Sequence, residues 1–173
     1  MELSKVLENR YTFHGEFTDK KVTEEQIKTI LNSAASSPYG MHNWTTSLVV
    51  ITDEEILKQI AEIAPIKMIQ TASLIIVALT DEESACDTMH FEIENYSACV
   101  ENILLAVTDL GLATAWTDGS TKMPKINKAL RKILNVPKDK TIRAVLPIGE
   151  PKIPGKPSSN VSLDSFVYYN RFK

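Results

Sequence analysis

The sequence predicts an α+β fold in a chain of 173 residues. Its strongest signal is residues 92–110, where apolar residues recur every three or four positions, as on the buried face of a helix. The other faces of this helix are almost as apolar, so we expect it to lie in the core and to end at Gly111. Short apolar runs bounded by turn residues predict four strands: residues 48–51, 73–79, 112–116 and 141–148.

Four further segments have helical patterns. They are residues 3–10, 22–37, 52–62 and 122–135. Thr23 with Gln26, and Thr52 with Glu55, have the spacing of a capping box at the start of the second and third of these helices. We expect residues 1–173 to form one domain, whose last residues are too polar for a core of their own and either wrap that domain or clasp another subunit.

Composition excludes several classes of partner. The chain has 19 basic and 22 acidic residues and a net charge of −3, which does not favour nucleic acid or an anionic membrane. Cys86 and Cys99 have neither metal-binding nor redox spacing, and no signal peptide or apolar run of about 18 residues is present. We therefore expect a soluble cytoplasmic protein without a metal.

Polar residues alternate with aromatic ones after the first helix. In an extended chain Arg10, Thr12 and His14 lie on one side, and Tyr11 and Phe13 on the other. A guanidinium, a hydroxyl and an imidazole can all donate hydrogen bonds to phosphate oxygens. The pattern fits a phosphate site and fits a solvated strand edge equally well.

A loop before the first strand concentrates turn, polar and aromatic residues in the run SPYGMHNWTTS. Pro38 and Gly40 favour a turn, and His42, Asn43 and Trp44 follow them. Such crowding marks a binding surface, although Trp44 could instead fill the edge of the core.

Two residues that often carry chemistry have simpler interpretations here. Cys99 lies on the apolar helix and is predicted to be a packing residue rather than a nucleophile. His90 has no partner at ligand spacing, so we expect it at the surface or at the start of a helix. No catalytic triad can be assembled from the sequence.

Four stretches, in order, resemble the FMN-dependent nitroreductase family: NRYTFHGEF, AASSPYGMHNWTTSLVVI, ENILLAVTDLGLATAWTDG and VLPIGEP. The third is the most specific, and the resemblance spans nearly the whole chain. It implies a nitroreductase-like fold with a central mixed sheet of four to five strands flanked by helices. It also implies a long central helix and a C-terminal tail that reaches toward a partner subunit.

The resemblance also implies roles for individual residues. The implied FMN-binding residues are Arg10, Tyr11, Thr12, His14, Pro38, Tyr39, Gly40, Thr117, Asp118, Gly119 and Lys156. Those implied on the substrate side are His42, Asn43 and Trp44, and a shift of one residue in the alignment would exchange the first two. The backbone amides of Asp118 and Gly119 are implied to face the flavin N5 atom.

By the same resemblance, the chain is an FMN-dependent oxidoreductase that transfers hydride from NAD(P)H to a nitroaromatic, a quinone or a similar small acceptor in a ping-pong reaction. The flavin carries the chemistry, so no catalytic side chain is implied. The implied assembly is a homodimer with both flavins at the subunit interface.

Departures from the family pattern leave alternatives open. His14 replaces the usual arginine or lysine, and residues 44–46 replace a Gln-Pro-Trp triplet. Little room remains between Leu79 and Glu92 for the helical insertion that often covers the substrate. The alternatives are a non-catalytic protein that binds flavin or another planar cofactor, and a reductive dehalogenase or dehydrogenase of the same superfamily.

Overall fold

The computed structural model describes residues 1–81, 89–158 and 161–172. The α-helices of these segments are α1 (Leu3–Asn9), α2 (Glu24–Ala35), α3 (Glu54–Ile63), α4 (Lys67–Gln70), α5 (Glu92–Asp109) and α6 (Pro124–Ile133). The strands are β1 (Thr46–Ile51), β2 (Leu74–Asp81), β3 (Ala113–Thr114) and β4 (Lys140–Gly149). The predicted α+β class is confirmed, and each predicted strand and helix has a counterpart.

The strands form one sheet in the order β1-β2-β4-β3. Every pairing among the described residues is antiparallel, so the expectation of a mixed sheet is corrected. The reason lies in the connections. Ile51 at the end of β1 pairs with Ile75 at the start of β2, so α3 and α4 return the chain to the same end of the sheet. A parallel neighbour would require a crossover to the opposite end.

Both faces of β2 are buried because helices cover each side of the sheet. Ile75 and Val77 pack in a cluster with side chains of α3, α4 and α6. Leu74, Ile76 and Ala78 pack on the opposite face with side chains of α2 and α5. This explains why β2 is an uninterrupted apolar run rather than an alternating one.

The long central helix is confirmed as α5. Gly111 ends it with φ +71°, and the amide of Leu112 donates to the carbonyl oxygen of Val107, which closes the last turn. The expectation that the apolar residues of this helix lie in the core is wrong for Ile93, which is in the first turn and is 45% exposed. Within the described segments, no helix combines the length and the apolar character that a bilayer crossing requires.

The helix caps agree with the sequence in one case and differ in another. Thr23 and Gln26 form both hydrogen bonds of the capping box at the start of α2. At α3, Asp53 is the cap rather than Thr52, and its carboxylate accepts two backbone amides of the first turn at 3.0 Å. A carboxylate there also interacts favourably with the helix dipole, which a hydroxyl does not.

The C-terminal tail leaves the sheet next to the N-terminal run. Pro151 pairs with Phe17, and the amide of Lys152 donates to the carbonyl oxygen of Glu16. Further along, large apolar side chains are exposed: Ile153, Val161, Leu163, Phe166, Tyr168, Tyr169 and Phe172. Among the described residues, the hydrogen bonds and ring contacts of residues 161–172 all lie within that segment.

The capping box at Thr23 can be tested by a substitution there and by the same substitution elsewhere in α2 as a control. Thr23→Ala should lower the free energy of unfolding by about 0.5–2 kcal/mol, because it leaves a backbone amide of α2 without its partner. Thr29→Ala is the same substitution at an exposed position inside α2, where the hydroxyl bonds only to Glu25 of the previous turn. It should be neutral or slightly stabilising, since alanine favours helix. Equal losses in urea unfolding of the two variants would contradict the cap.

Candidate functional site

The chain leaves α1 in an extended conformation and is tied to the sheet. Arg10 ends the helix with φ −65° and ψ 131°, and the amide of Phe13 donates to the carbonyl oxygen of Thr114 at 3.0 Å. Phe13 is buried, whereas Thr12 and His14 are exposed and Arg10 is half-buried. The predicted alternation is therefore confirmed at Thr12, Phe13 and His14, whereas Arg10 and Tyr11 are both half-buried.

A cavity of about 270 Å³ lies where this run meets β3 and α5. It is lined by Arg10, Tyr11, Thr12, Glu101, Leu104, Thr114, Ala115 and Trp116. The Oγ1 atom of Thr114 is buried and has no hydrogen-bond partner within the described chain. Buried hydroxyls are almost always paired, so this atom is an exception, as is the Oγ1 atom of Thr46, which does not line the cavity.

The charges in the cavity lining are balanced. The Nε atom of Arg10 lies 3.7 Å from Oε1 of Glu101, and both side chains are partly exposed, at 36% and 45%. With the hydroxyls of Thr12 and Thr114, the guanidinium makes a donor set suited to a phosphate group. His14 does not line the cavity. The residues present fit a phosphorylated cofactor.

Gly155, the residue before Lys156, lies against Tyr11 of the N-terminal run. A Cβ atom on Gly155 would lie 2.4 Å from the ring of Tyr11, so the tail crosses this ring at a position where only glycine fits. Lys156 follows directly and is exposed. An exposed ammonium on the residue next to this contact with Tyr11 is compatible with the predicted role of Lys156 at a phosphate.

The loop after β3 is anchored by its first residue. Thr117 pairs with Val145 of β4 through backbone hydrogen bonds in both directions, at 3.2 and 3.0 Å. Asp118 accepts a hydrogen bond from Lys122 at 2.7 Å. This bond lowers the pKa of Asp118 below its ordinary value, against the opposing effect of partial burial, and the backbone amides of Asp118 and Gly119 lower it further. Gly119 has φ −59°, and a Cβ atom there would meet no protein atom within 4 Å.

The buried side chain of Asn95 holds the loop that contains Pro38, Tyr39 and Gly40, which are predicted to contact the flavin. Asn95 of α5 accepts the amide of Gly40 at 2.8 Å and donates to the carbonyl oxygen of Asn43 at 3.0 Å and to the hydroxyl of Thr45 at 2.9 Å. Phe91, just before α5, packs so close to Gly40 that a Cβ atom there would lie 2.5 Å from its ring. The loop is thus held against the start of α5.

The outer side of this loop presents aromatic rings. Tyr39 and Trp44 are in edge-to-face contact, with ring centroids 5.4 Å apart, and both are exposed. Neither core cluster includes Trp44, so it does not fill the edge of the core. Met41 and His42 have positive φ values of 51° and 52°, which cost energy in residues with a side chain. Strained backbone of this kind is frequent at ligand sites.

The structure brings the first and third motifs together but not the second. Trp116, which leads into residues 117–119, lines the same cavity as Arg10 and packs edge-to-face on Tyr96 of α5. Residues 38–44 do not line this cavity. Their anchor Asn95 is six residues from Glu101, which is about 9 Å along the axis of α5 and a third of a turn around it.

Sequence reasoning missed four residues of this region: Asn95, Glu101, Thr114 and Trp116. A signal existed for Asn95, because it occupies the same face of α5 as Cys99 and Ile103, where an amide is out of place unless it is hydrogen-bonded. Glu101 and Thr114 gave no comparable signal. Their importance arises from contacts with segments distant in the sequence.

Cys99 and His90 occupy ordinary structural positions. Cys99 is buried on α5, and burial raises the pKa of its thiol from 9.0 to about 11, although a hydrogen bond with Ser37 opposes this. It is therefore a packing residue at neutral pH, as predicted. His90 is exposed beside Glu92 just before α5, and Cys86 lies outside the described residues.

Comparisons with known proteins agree with the resemblance seen in the sequence. The sequence profile of the nitroreductase family matches residues 7–71 and 66–150. A protein of Archaeoglobus fulgidus, provisionally named NADH dehydrogenase/NAD(P)H nitroreductase, is 29% identical over 137 residues, which cover 79% of this chain and 78% of that protein. A protein of Methanothermobacter thermautotrophicus with the same name is 29% identical over 136 residues, or 78% of this chain and 70% of that one.

Solved structures share the fold at low sequence identity. A Bacteroides thetaiotaomicron protein, again provisionally named NADH dehydrogenase/NAD(P)H nitroreductase, superposes with a TM-score of 0.86 at 25% identity and covers 99% of each chain. A Clostridium difficile protein described as an FMN-dependent nitroreductase superposes with a TM-score of 0.83 at 23% identity, over 96% of this chain and 98% of that one. The nitroreductase-like fold is therefore confirmed.

Replacing Asn95 should affect both the stability of the whole fold and the loop of residues 38–44. A matched variant at Asn102 separates the two effects. Asn95→Ala should lower the free energy of unfolding by about 1–3 kcal/mol, because buried backbone groups of the loop lose their partner. Hydrogen exchange at the Gly40 amide should accelerate. Asn102→Ala, on the same helix, removes one bond to the carbonyl oxygen of Ser33 and should leave exchange at Gly40 unchanged. Unchanged exchange in Asn95→Ala would show that the loop is held by other contacts.

Proposed function

The chain belongs to the nitroreductase family, and from this premise we propose that it is an FMN-dependent oxidoreductase. It takes hydride from NAD(P)H and passes electrons to a small acceptor such as a nitroaromatic or a quinone. The names of the archaeal relatives support the electron donor, and the FMN dependence of the Clostridium difficile protein supports the cofactor. The observation that carries the proposal is the cavity lined by Arg10, Thr12 and Thr114, the last of which has a buried, unpaired hydroxyl.

The phosphate of FMN is proposed to bind in this cavity. Arg10 supplies the permanent positive charge, Thr12 a hydroxyl, and Lys156 a second, exposed cation from the tail. Trp116 and the backbone of residues 117–119 then border the flavin ring. FMN, when bound, supplies the capacity to accept hydride and release electrons singly or in pairs. The chain's part is to bind, orient and shield the ring. His14, which does not line the cavity, is proposed to donate a hydrogen bond to the edge of the ring.

We propose that a second copy completes the site. The loop of residues 38–44 was predicted to contact the same flavin, yet it meets a different side of α5 from the cavity within one chain. A homodimer in which this loop approaches the partner's cavity would reunite the motifs. The exposed apolar tail supports such an assembly, since residues 161–172 find no core within their own chain. The aromatic pair of Tyr39 and Trp44, with His42 and Asn43, would then border the substrate side.

The first test is spectroscopic. The purified protein should be yellow with an FMN spectrum that bleaches on addition of NADH and recovers in air. A spectrum that shows bound flavin but no bleaching with NADH or NADPH would support the non-catalytic alternative, and absence of flavin affinity would overturn both.

Arg10 is expected to be the main phosphate anchor. Arg10→Ala should weaken FMN binding by about 1.5–3 kcal/mol, as expected for the loss of a charge-assisted hydrogen bond, and should leave riboflavin binding unchanged. Fluorescence titration measures both affinities. Arg131→Ala is the control, because this guanidinium bonds to the carbonyl oxygens of Pro137 and Lys140 and should affect stability rather than FMN affinity. An Arg10 variant with wild-type FMN affinity would remove the phosphate assignment.

Two substitutions in the loop after β3 distinguish backbone from side-chain roles. Gly119→Val should leave the stability of the apoprotein little changed, because the φ of Gly119 is helical and a Cβ atom there meets no protein atom within 4 Å. It should impair FMN binding and reduction by NADH. Asp118→Ala removes a partly exposed ion pair with Lys122 and the contacts of the carboxylate with two backbone amides. The backbone itself remains, so turnover should change little. The reverse outcome, with Asp118→Ala inactive and Gly119→Val unaffected, would show that the carboxylate carries the role.

Truncation tests the assembly. The full chain should sediment as a dimer, and a chain that ends at Pro157 should dissociate at least about tenfold more readily, because the apolar tail is lost from the interface. The circular dichroism of the truncated monomer should resemble that of the full chain. Asp164→Ala, an exposed polar substitution in the same tail, should sediment as the wild type does. A full-length monomer that binds FMN stoichiometrically would contradict the interface site.

A further inference from the structure

The cavity proposed to bind the FMN phosphate also contains a carboxylate. An anion-binding site does not need one. Glu101 of α5 lines it together with Arg10, so the lining residues carry one formal positive and one formal negative charge. A phosphate monoester carries more than one negative charge at neutral pH. It would therefore enter a cavity whose charge is already balanced, beside a group that repels it.

On the basis of the FMN site proposed above, we propose that Glu101 competes with the FMN phosphate for Arg10 and thereby keeps the cofactor exchangeable. In the apoprotein, Glu101 holds the guanidinium. When the phosphate binds, Arg10 is shared between two anions, and the repulsion between them offsets part of the binding free energy. The chain thus weakens the retention of its own flavin.

The geometry of the pair suits a competitor rather than a structural brace. The closest approach of the two charged groups is 3.7 Å, and both side chains are partly exposed, so the ion pair itself adds little to stability. Among the described residues, Arg10 is the one ionic partner of Glu101. Removing the charge of Glu101 therefore frees Arg10 without leaving another group unpaired.

The distance between the Glu101 carboxylate and the phosphate sets the size of the change in FMN affinity. A carboxylate that can approach Arg10 this closely lies within a few ångströms of any phosphate that Arg10 also contacts. At the effective dielectric of a half-exposed site, repulsion over that distance changes an affinity by about tenfold. Screening by salt reduces it, so the effect should shrink at high ionic strength.

The test compares FMN with riboflavin, which has the same ring and ribityl chain but no phosphate. Apoprotein is titrated with each flavin at about 0.15 M salt, for wild type, Glu101→Gln and Glu94→Gln. Glu94 lies on the same helix, is exposed and does not line the cavity, so its variant controls for net charge. Glu101→Gln should bind FMN about tenfold more tightly, with riboflavin affinity unchanged, and Glu94→Gln should match the wild type.

Each other outcome has a definite meaning. Unchanged or weaker FMN binding in Glu101→Gln would overturn the competition and make Glu101 a residue that positions Arg10. Equal tightening of FMN and riboflavin would also overturn it, since the effect would then lie at the ring. If the wild type binds neither flavin, the proposed function itself fails. That result differs from one in which the wild type binds both flavins but Glu101→Gln binds FMN no more tightly. Inorganic phosphate as a competitor provides an independent measurement, and it should displace FMN from both proteins but bind Glu101→Gln more tightly.

Discussion

The burial of α5 against one face of the sheet is the constraint on which the rest of the candidate site depends. Its inward side chains fix its position, so the residues on its other sides have fixed positions as well. Asn95 then holds the loop of residues 38–44, Tyr96 packs on Trp116, and Glu101 faces Arg10. Three segments distant in sequence are thus arranged by one helix.

Asn95 and Glu101, two polar residues of α5, differ in burial and in how firmly they are paired. Asn95 is buried and makes three hydrogen bonds, so its amide is fully used and rigidifies the loop. Glu101 is partly exposed and loosely paired, so it can respond to a ligand. Thr114, which also lines the cavity, has a buried hydroxyl with no hydrogen-bond partner in the described chain.

The described chain is well packed inside but leaves apolar groups outside. The core is closed on both faces of the sheet, yet the tail exposes a run of aromatic and aliphatic side chains, and the loop of residues 38–44 exposes two aromatic rings. Isolated exposed apolar residues are ordinary, but clusters of them indicate a surface that another molecule covers. This pattern, and the separation of the loop from the cavity, are the physical grounds on which we propose a homodimer with shared sites.

Local patterns in the sequence were sufficient for the secondary structure and for much of the fold. The period of α5, its stop at Gly111, the capping box at Thr23 and the apolar run of β2 depend on neighbours a few residues apart, and each is confirmed. The alternation of Arg10, Thr12 and His14 was also readable from local spacing. Strand direction was not, because it depends on which end of the sheet a connection returns to, and the mixed sheet was wrong for that reason. Only the tertiary structure placed Asn95 under the loop, Glu101 beside Arg10 and Thr114 in the cavity wall, since hydrogen bonds and charge contacts between distant segments leave no period in the sequence.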